Sequence, residues 1–100
     1  MPSDSGTGDG RVHHEPENHR FTLSSGEALA VLEYRDAGPS TGDFHHTYVP
    51  PALRGRGIAS RLTPHALRHA LDHGLSVIPT CPFVAAFIRK NPEYAAVLRR

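Results

Sequence analysis

A small α+β domain built on a mixed sheet is what the sequence predicts, and three features predict it. Short runs alternating apolar and polar residues, punctuated by turn residues, fill the first half of the chain. One segment with helical apolar spacing follows a glycine-rich loop, and a second short apolar run follows that helix. A strand, a crossover helix and a strand form a βαβ unit with parallel strands and a right-handed connection. At 100 residues and 10.9 kDa, the chain holds one such domain with a short tail.

Residues 1–18 carry Ser, Gly, Asp, Pro and Glu with almost nothing apolar, a composition that does not offset the entropy of ordering. They are expected to be a disordered tail, with the folded domain over residues 19–100. Residues 20–23 read as a strand, Ser24-Ser25-Gly26 as a turn, and residues 28–34 as a second strand with Ala28, Ala30, Leu32 and Tyr34 on one face. The loop 36–42 leads to a third strand over residues 43–49, which Pro50 and Pro51 stop. The three strands form an antiparallel meander.

Ile58, Leu62, Ala66, Leu67, Ala70 and Leu71 then recur at helical spacing, with Arg61, Arg68 and Asp72 opposite, and Gly74 ends the helix. Pro64 lies inside this pattern and predicts one kinked helix rather than two. Residues 75–78 form the strand that completes the βαβ unit. Residues 83–90 form a short helix, and residues 93–98 a last turn.

Charge is unevenly spread around a net of +1. Residues 1–18 set Asp4, Asp9, Glu15 and Glu17 against Arg11 alone, whereas eight basic residues from Arg54 onward face only Asp72 and Glu93. A basic C-terminal half suits a phosphate-bearing partner, either a cofactor or a nucleic acid. Aromatic and Arg side chains are not interleaved there as a base-stacking surface, which argues against nucleic acid. No apolar run approaches membrane-spanning length, and the N-terminus lacks the basic and greasy segments of a secretion signal. The lone Cys81 makes neither an internal disulfide nor, by itself, a structural zinc site, so a reducing cytoplasmic setting is expected.

Arg54-Gly55-Arg56-Gly57-Ile58-Ala59 stands between a strand end and a helix start. A helix N-terminus presents unpaired N–H groups and partial positive charge, and glycines let an anion approach that backbone closely. The loop therefore reads as a pyrophosphate cradle, or as a turn shaped by two glycines with its arginines in solvent. It lacks the Lys-Ser/Thr of a Walker loop and the third glycine of a dinucleotide fingerprint.

That loop, with His46-Thr47-x-Val49-Pro50 before it and Pro79-x-Cys81-Pro82-Phe83-Val84 and Asn91-Pro92-Glu93-Tyr94 after it, resembles the very small single-domain acetyltransferase-like proteins of the GNAT superfamily. The resemblance spans roughly residues 21–97 and implies a minimal GNAT-type fold. It implies acetyl-CoA as co-substrate, lying in a splay between the two parallel strands. Backbone N–H groups of Leu53, Arg54, Gly55, Arg56, Gly57, Ile58 and Ala59 would bind the pyrophosphate, and Tyr48 and Val49 would hold the pantetheine arm and thioester carbonyl. It further implies an N-acetyltransferase moving acetyl to an amine that the sequence does not identify. The alternative is a non-catalytic acyl-CoA-binding module. Many relatives carry an acidic residue where this chain has Tyr48.

His46 and Cys81 are the candidate catalytic residues. His46 could relay a proton or be satisfied by a backbone carbonyl. Cys81, after the second parallel strand, could attack the thioester, donate a proton to the leaving thiolate, or fill a small apolar pocket. Tyr94 could protonate that thiolate, as a tyrosine does in many larger acetyltransferases, or pack the C-terminal turn. His65, His69 and His73 fall at i, i+4 and i+8, but no Cys or acidic ligand accompanies them at fixed spacing, so no metal is assigned. The sequence names no oligomeric state.

Overall fold

Five strands in sequential order form one sheet, the first four antiparallel and the last pair parallel. The computed structural model describes residues 10–99. β1 (Val12–Glu15), β2 (Arg20–Ser25), β3 (Ala28–Asp36) and β4 (Thr41–Tyr48) make the meander. α1 (Ala59–Asp72) crosses over to β5 (Ser76–Ile78), and α2 (Pro82–Lys90) and a 3-10 segment, Pro92–Arg99, close the chain.

The predicted mixed sheet is found. β4 pairs in parallel with β5, Thr41 opposite Ser76 and Asp43 opposite Ile78. Alternation places Phe21, Leu23, Ala30, Leu32 and Phe44 on one face, where they join Leu62, Ala66, Leu67 and Ala70 of α1 and Val84 and Ile88 of α2 in a single buried core. Each large aliphatic side chain fully buried there stabilises the fold by about 1.5–3 kcal/mol. Thr63 is the exception within that core. Its hydroxyl is buried without a hydrogen-bond partner, among the described residues, at the turn where Pro64 interrupts the backbone ladder. α1 nonetheless runs as one helix through Pro64 and ends before Gly74, whose φ of 66° suits a residue without a Cβ.

One expectation is corrected here. Residues 12–18 do not belong to a tail: Val12–Glu15 adds a fifth strand to the sheet edge and Pro16–Asn18 forms a 3-10 turn. The strand is held less by apolar content than by its backbone ladder to β2, by Val12 against the core, and by His14, whose ring stacks on Phe21 at 4.1 Å. The part of the tail expectation over residues 1–9 lies outside the described residues. β4 also carries an irregularity that its sequence does not announce. The pairing with β3 slips by one residue, so His45 is a β-bulge: His46 pairs with Glu33 and Thr47 with Leu32, whereas Phe44 pairs with Tyr34. The bulge puts Thr47 on the same face as Phe44 and turns His46 to the opposite one.

Candidate active site

β4 outruns β5, and that difference in length makes the crevice. The parallel ladder stops at Asp43, and the last backbone tie is the Cys81 N–H donating to the Phe44 carbonyl at 2.8 Å. Thr80 adds a side-chain bond from its hydroxyl to Asp43. Beyond Phe44 no β5 backbone accompanies β4, so the edge of β4 from His45 to Tyr48 opens toward the start of α2. Ligands in α/β sheets collect at such carboxyl ends of parallel strands.

Cys81 stands at the mouth of this opening, in the N-cap position of α2. Its sulfur is 3.4 Å from the Thr47 hydroxyl, and the residue is only 6% exposed. Burial pushes the thiol up, but the Thr47 hydroxyl, the N–H groups of Val84 and Phe83 and the Thr47 backbone together outweigh it and hold the thiol below its ordinary range. The α2 N–H groups act here through their field at the helix start rather than as a formed side-chain cap. A buried sulfur set between a hydroxyl and a helix N-terminus can carry negative charge, or hold a proton it releases readily.

The second half of the site is the loop before α1. Pro51–Leu53 forms a 3-10 turn in which the Leu53 and Arg54 N–H groups bond to the carbonyls of Pro50 and Pro51. Those two donors are therefore engaged, and Leu53 itself is buried in the core. From Gly55 to Ser60, by contrast, no backbone N–H finds a backbone acceptor among the described residues. Ile58 is the N-cap residue of α1 and supplies no capping side chain, so the helix start keeps its partial positive charge open. Gly55 and Gly57 have φ of 80° and 70°, and a Cβ built on either meets nothing within 4 Å. The space above both glycines is open to a ligand. Arg54 donates from Nε to the Val49 carbonyl at 2.9 Å, tying this loop to the end of β4. Arg56 is exposed beside it. The donors and the space suit a pyrophosphate, with Ser60 N–H as a further donor beyond the run read from the sequence.

The predicted residues thus divide. Cys81 comes together with Thr47, and Val49 with Arg54. Tyr48, 44% exposed, stands on the outer face of the sheet with His46, across from the Cys81 and Thr47 pair. The bulge at His45 turns His46 to the sheet face opposite Thr47, the neighbour of Cys81. Tyr94 packs against Phe87, ring centroids 5.9 Å apart, and belongs to the wall under α2. His69 and His73 stack on each other at 4.2 Å, and among the described residues no three His, Cys, Asp or Glu side chains are arranged to hold a metal ion. No helix among the described residues is long and apolar enough to cross a membrane.

Comparison with known proteins agrees with this fold. A family model described as GCN5-related N-acetyl-transferase matches residues 20–97. Protein NATD1 of Bos taurus is 38% identical over 84 residues, covering 82% of this chain and 74% of the relative, and the Homo sapiens protein of the same name is 37% identical over the same shares. The Xenopus tropicalis protein is 36% identical, covering 82% of this chain and 77% of its own. The NMR solution structure of a GCN5-like protein from Staphylococcus aureus superposes with a TM-score of 0.71 at 24% identity, covering 89% of this chain and 87% of that one, and so shares the fold. With its model match running through β2–β5 and both helices, the chain belongs to the GCN5-related N-acetyl-transferase family.

Proposed function

We propose that the protein is an N-acetyltransferase that moves acetyl from acetyl-CoA to an amine. The observation that carries this reading is the continuity of two features: the free N–H run from Gly55 to Ser60 and the crevice at Cys81, joined by the Arg54 to Val49 tie. Acetyl-CoA would supply an acetyl thioester. The N–H groups of 55–60 hold its pyrophosphate, with the Arg56 charge nearby, and Tyr48 and Val49 border the arm that runs along the open edge of β4. Cys81 and Thr47 then face the reacting end, where the thiol takes part as proton donor to the departing sulfur. An incoming amine reaches the carbonyl from the outer face of the sheet, where His46 is exposed and suited to take its proton.

The separation of His46 from Cys81 favours a second reading, a non-catalytic acyl-CoA-binding module. One experiment divides the two. The protein is incubated with acetyl-CoA and a panel of primary amines, and free CoA thiol is measured against an enzyme-free control. Amine-dependent thiol release that drops in His46→Ala supports the transferase. Binding of acetyl-CoA without release for any amine assigns the module.

A further inference from the structure

At the corner of the fold farthest along the sheet from β5, four imidazoles gather around one strand. His14 of β1 stacks on Phe21, lies edge-on to His69 of α1 at 4.6 Å, and shares a 2.7 Å hydrogen bond between its Nε2 and the Tyr34 hydroxyl. His69 stacks in turn on His73, and His65 stands edge-on to Phe21 at 6.2 Å. β1 is a four-residue edge strand, and His14 brings its ring against His69 of α1.

We propose that β1 is a pH-released edge strand, latched by the contact between neutral His14 and neutral His69. Both imidazoles are held below their ordinary range, first by burial and then by the neighbouring imidazoles, His69, His65 and His73 around His14, and His73 and His65 around His69. The groups facing them offer little compensation. α1 contributes Asp72 near His69, the Pro16–Asn18 turn contributes Glu17, β3 contributes the neutral Tyr34, and β2 contributes only Phe21. His19 also reaches this cluster, edge-on to Tyr34 at 5.5 Å and 3.7 Å from Asp36.

The released strand binds more protons than the docked one, so docking weakens as pH falls through the ordinary imidazole value of 6.5. Each imidazole that must stay neutral when docked weakens docking by at most about tenfold between pH 7.5 and 5.5, and the pair by up to about a hundredfold. Glu15, paired with Arg20 at 2.8 Å, titrates below this window and Tyr34 above it, so the imidazoles act alone within it. Release also frees Arg61, whose guanidinium bonds to the Gly10 carbonyl.

The test is native-state amide exchange across that window, read as protection factors. The β1 amides bonded to β2 are expected to lose at least tenfold protection from pH 7.5 to 5.5 while the β2–β3 amides keep theirs. His14→Phe, which retains a ring on Phe21, and His69→Gln should each remove about half of that loss on a logarithmic scale. Protection of β1 constant within threefold overturns the proposal. So does simultaneous loss in β1 and β2–β3, or the wild-type pH dependence persisting in whichever variant folds.

Discussion

Replacing Gly57 by alanine separates the cost of a backbone conformation from the cost to a ligand. Gly57 has φ of 70°, where an L residue is strained by about 1–2 kcal/mol, and the less flexible unfolded chain of the alanine variant returns about 0.4–1 kcal/mol. The net is about 1 kcal/mol, or a fall of about 4–8 °C in Tm. The added Cβ meets no protein atom within 4 Å, so packing contributes nothing further. What it meets is whatever lies over the loop. Losing one charge-assisted hydrogen bond between a backbone N–H and a phosphate costs about 1.5–3 kcal/mol, equivalent to about a 10–150-fold loss of acetyl-CoA affinity. Isothermal titration calorimetry at 25 °C, where both proteins remain folded, measures it. Gly42→Ala is the control, since its Cβ would stand 3.2 Å from Phe44 Cε1 and 3.7 Å from Tyr34 Cδ1, inside the core and away from the loop. That variant should lose stability by up to about 3 kcal/mol and keep its affinity within twofold. Equal affinity of Gly57→Ala and wild type would refute the cradle.

Thr63→Val removes a buried hydroxyl that has no partner while keeping the β-branched shape, so it should raise stability by about 1 kcal/mol in urea unfolding; a loss of stability would show that the hydroxyl is bonded after all. Leu67→Ala, at a fully buried position of α1, should cost about 2–5 kcal/mol by the same method, and a cost under 1 kcal/mol would contradict the core described above. The Cys81 thiol, held below its ordinary range, should react with iodoacetamide with a pH midpoint below that of a free thiol, and Thr47→Val should shift the midpoint upward; an unchanged midpoint would deny Thr47 its role at the sulfur.

Elements with strong periodicity or punctuation were legible before the structure. α1 announces itself through Leu62, Ala66, Leu67 and Ala70, and its end through Gly74; the parallel pairing of β4 and β5 follows from the crossover that α1 provides. β1 was not legible, because Val-His-His-Glu offers one aliphatic residue. Its order comes from partners distant in sequence, Phe21, Tyr34 and His69, that no local pattern reveals. The bulge at His45 was equally hidden. A one-residue slip reverses which side chains face the core, and here it sets Thr47 beside Cys81 and His46 on the opposite face. The glycine loop was legible as a cradle, but not which donors it leaves free. That depends on the 3-10 turn at Pro51–Leu53, which engages the N–H groups of Leu53 and Arg54.

The central claim, that acetyl-CoA occupies the splay between β4 and β5 with its pyrophosphate over the loop, is tested most directly by titrating the ¹⁵N-labelled protein with acetyl-CoA and mapping amide shifts. The account predicts saturable changes concentrated at Gly55, Gly57, Ile58, Ala59 and Ser60, continuing through Thr47, Tyr48 and Val49 to Cys81, with β1 and β2 unmoved. Saturable changes centred elsewhere, or none at millimolar acetyl-CoA, would contradict it.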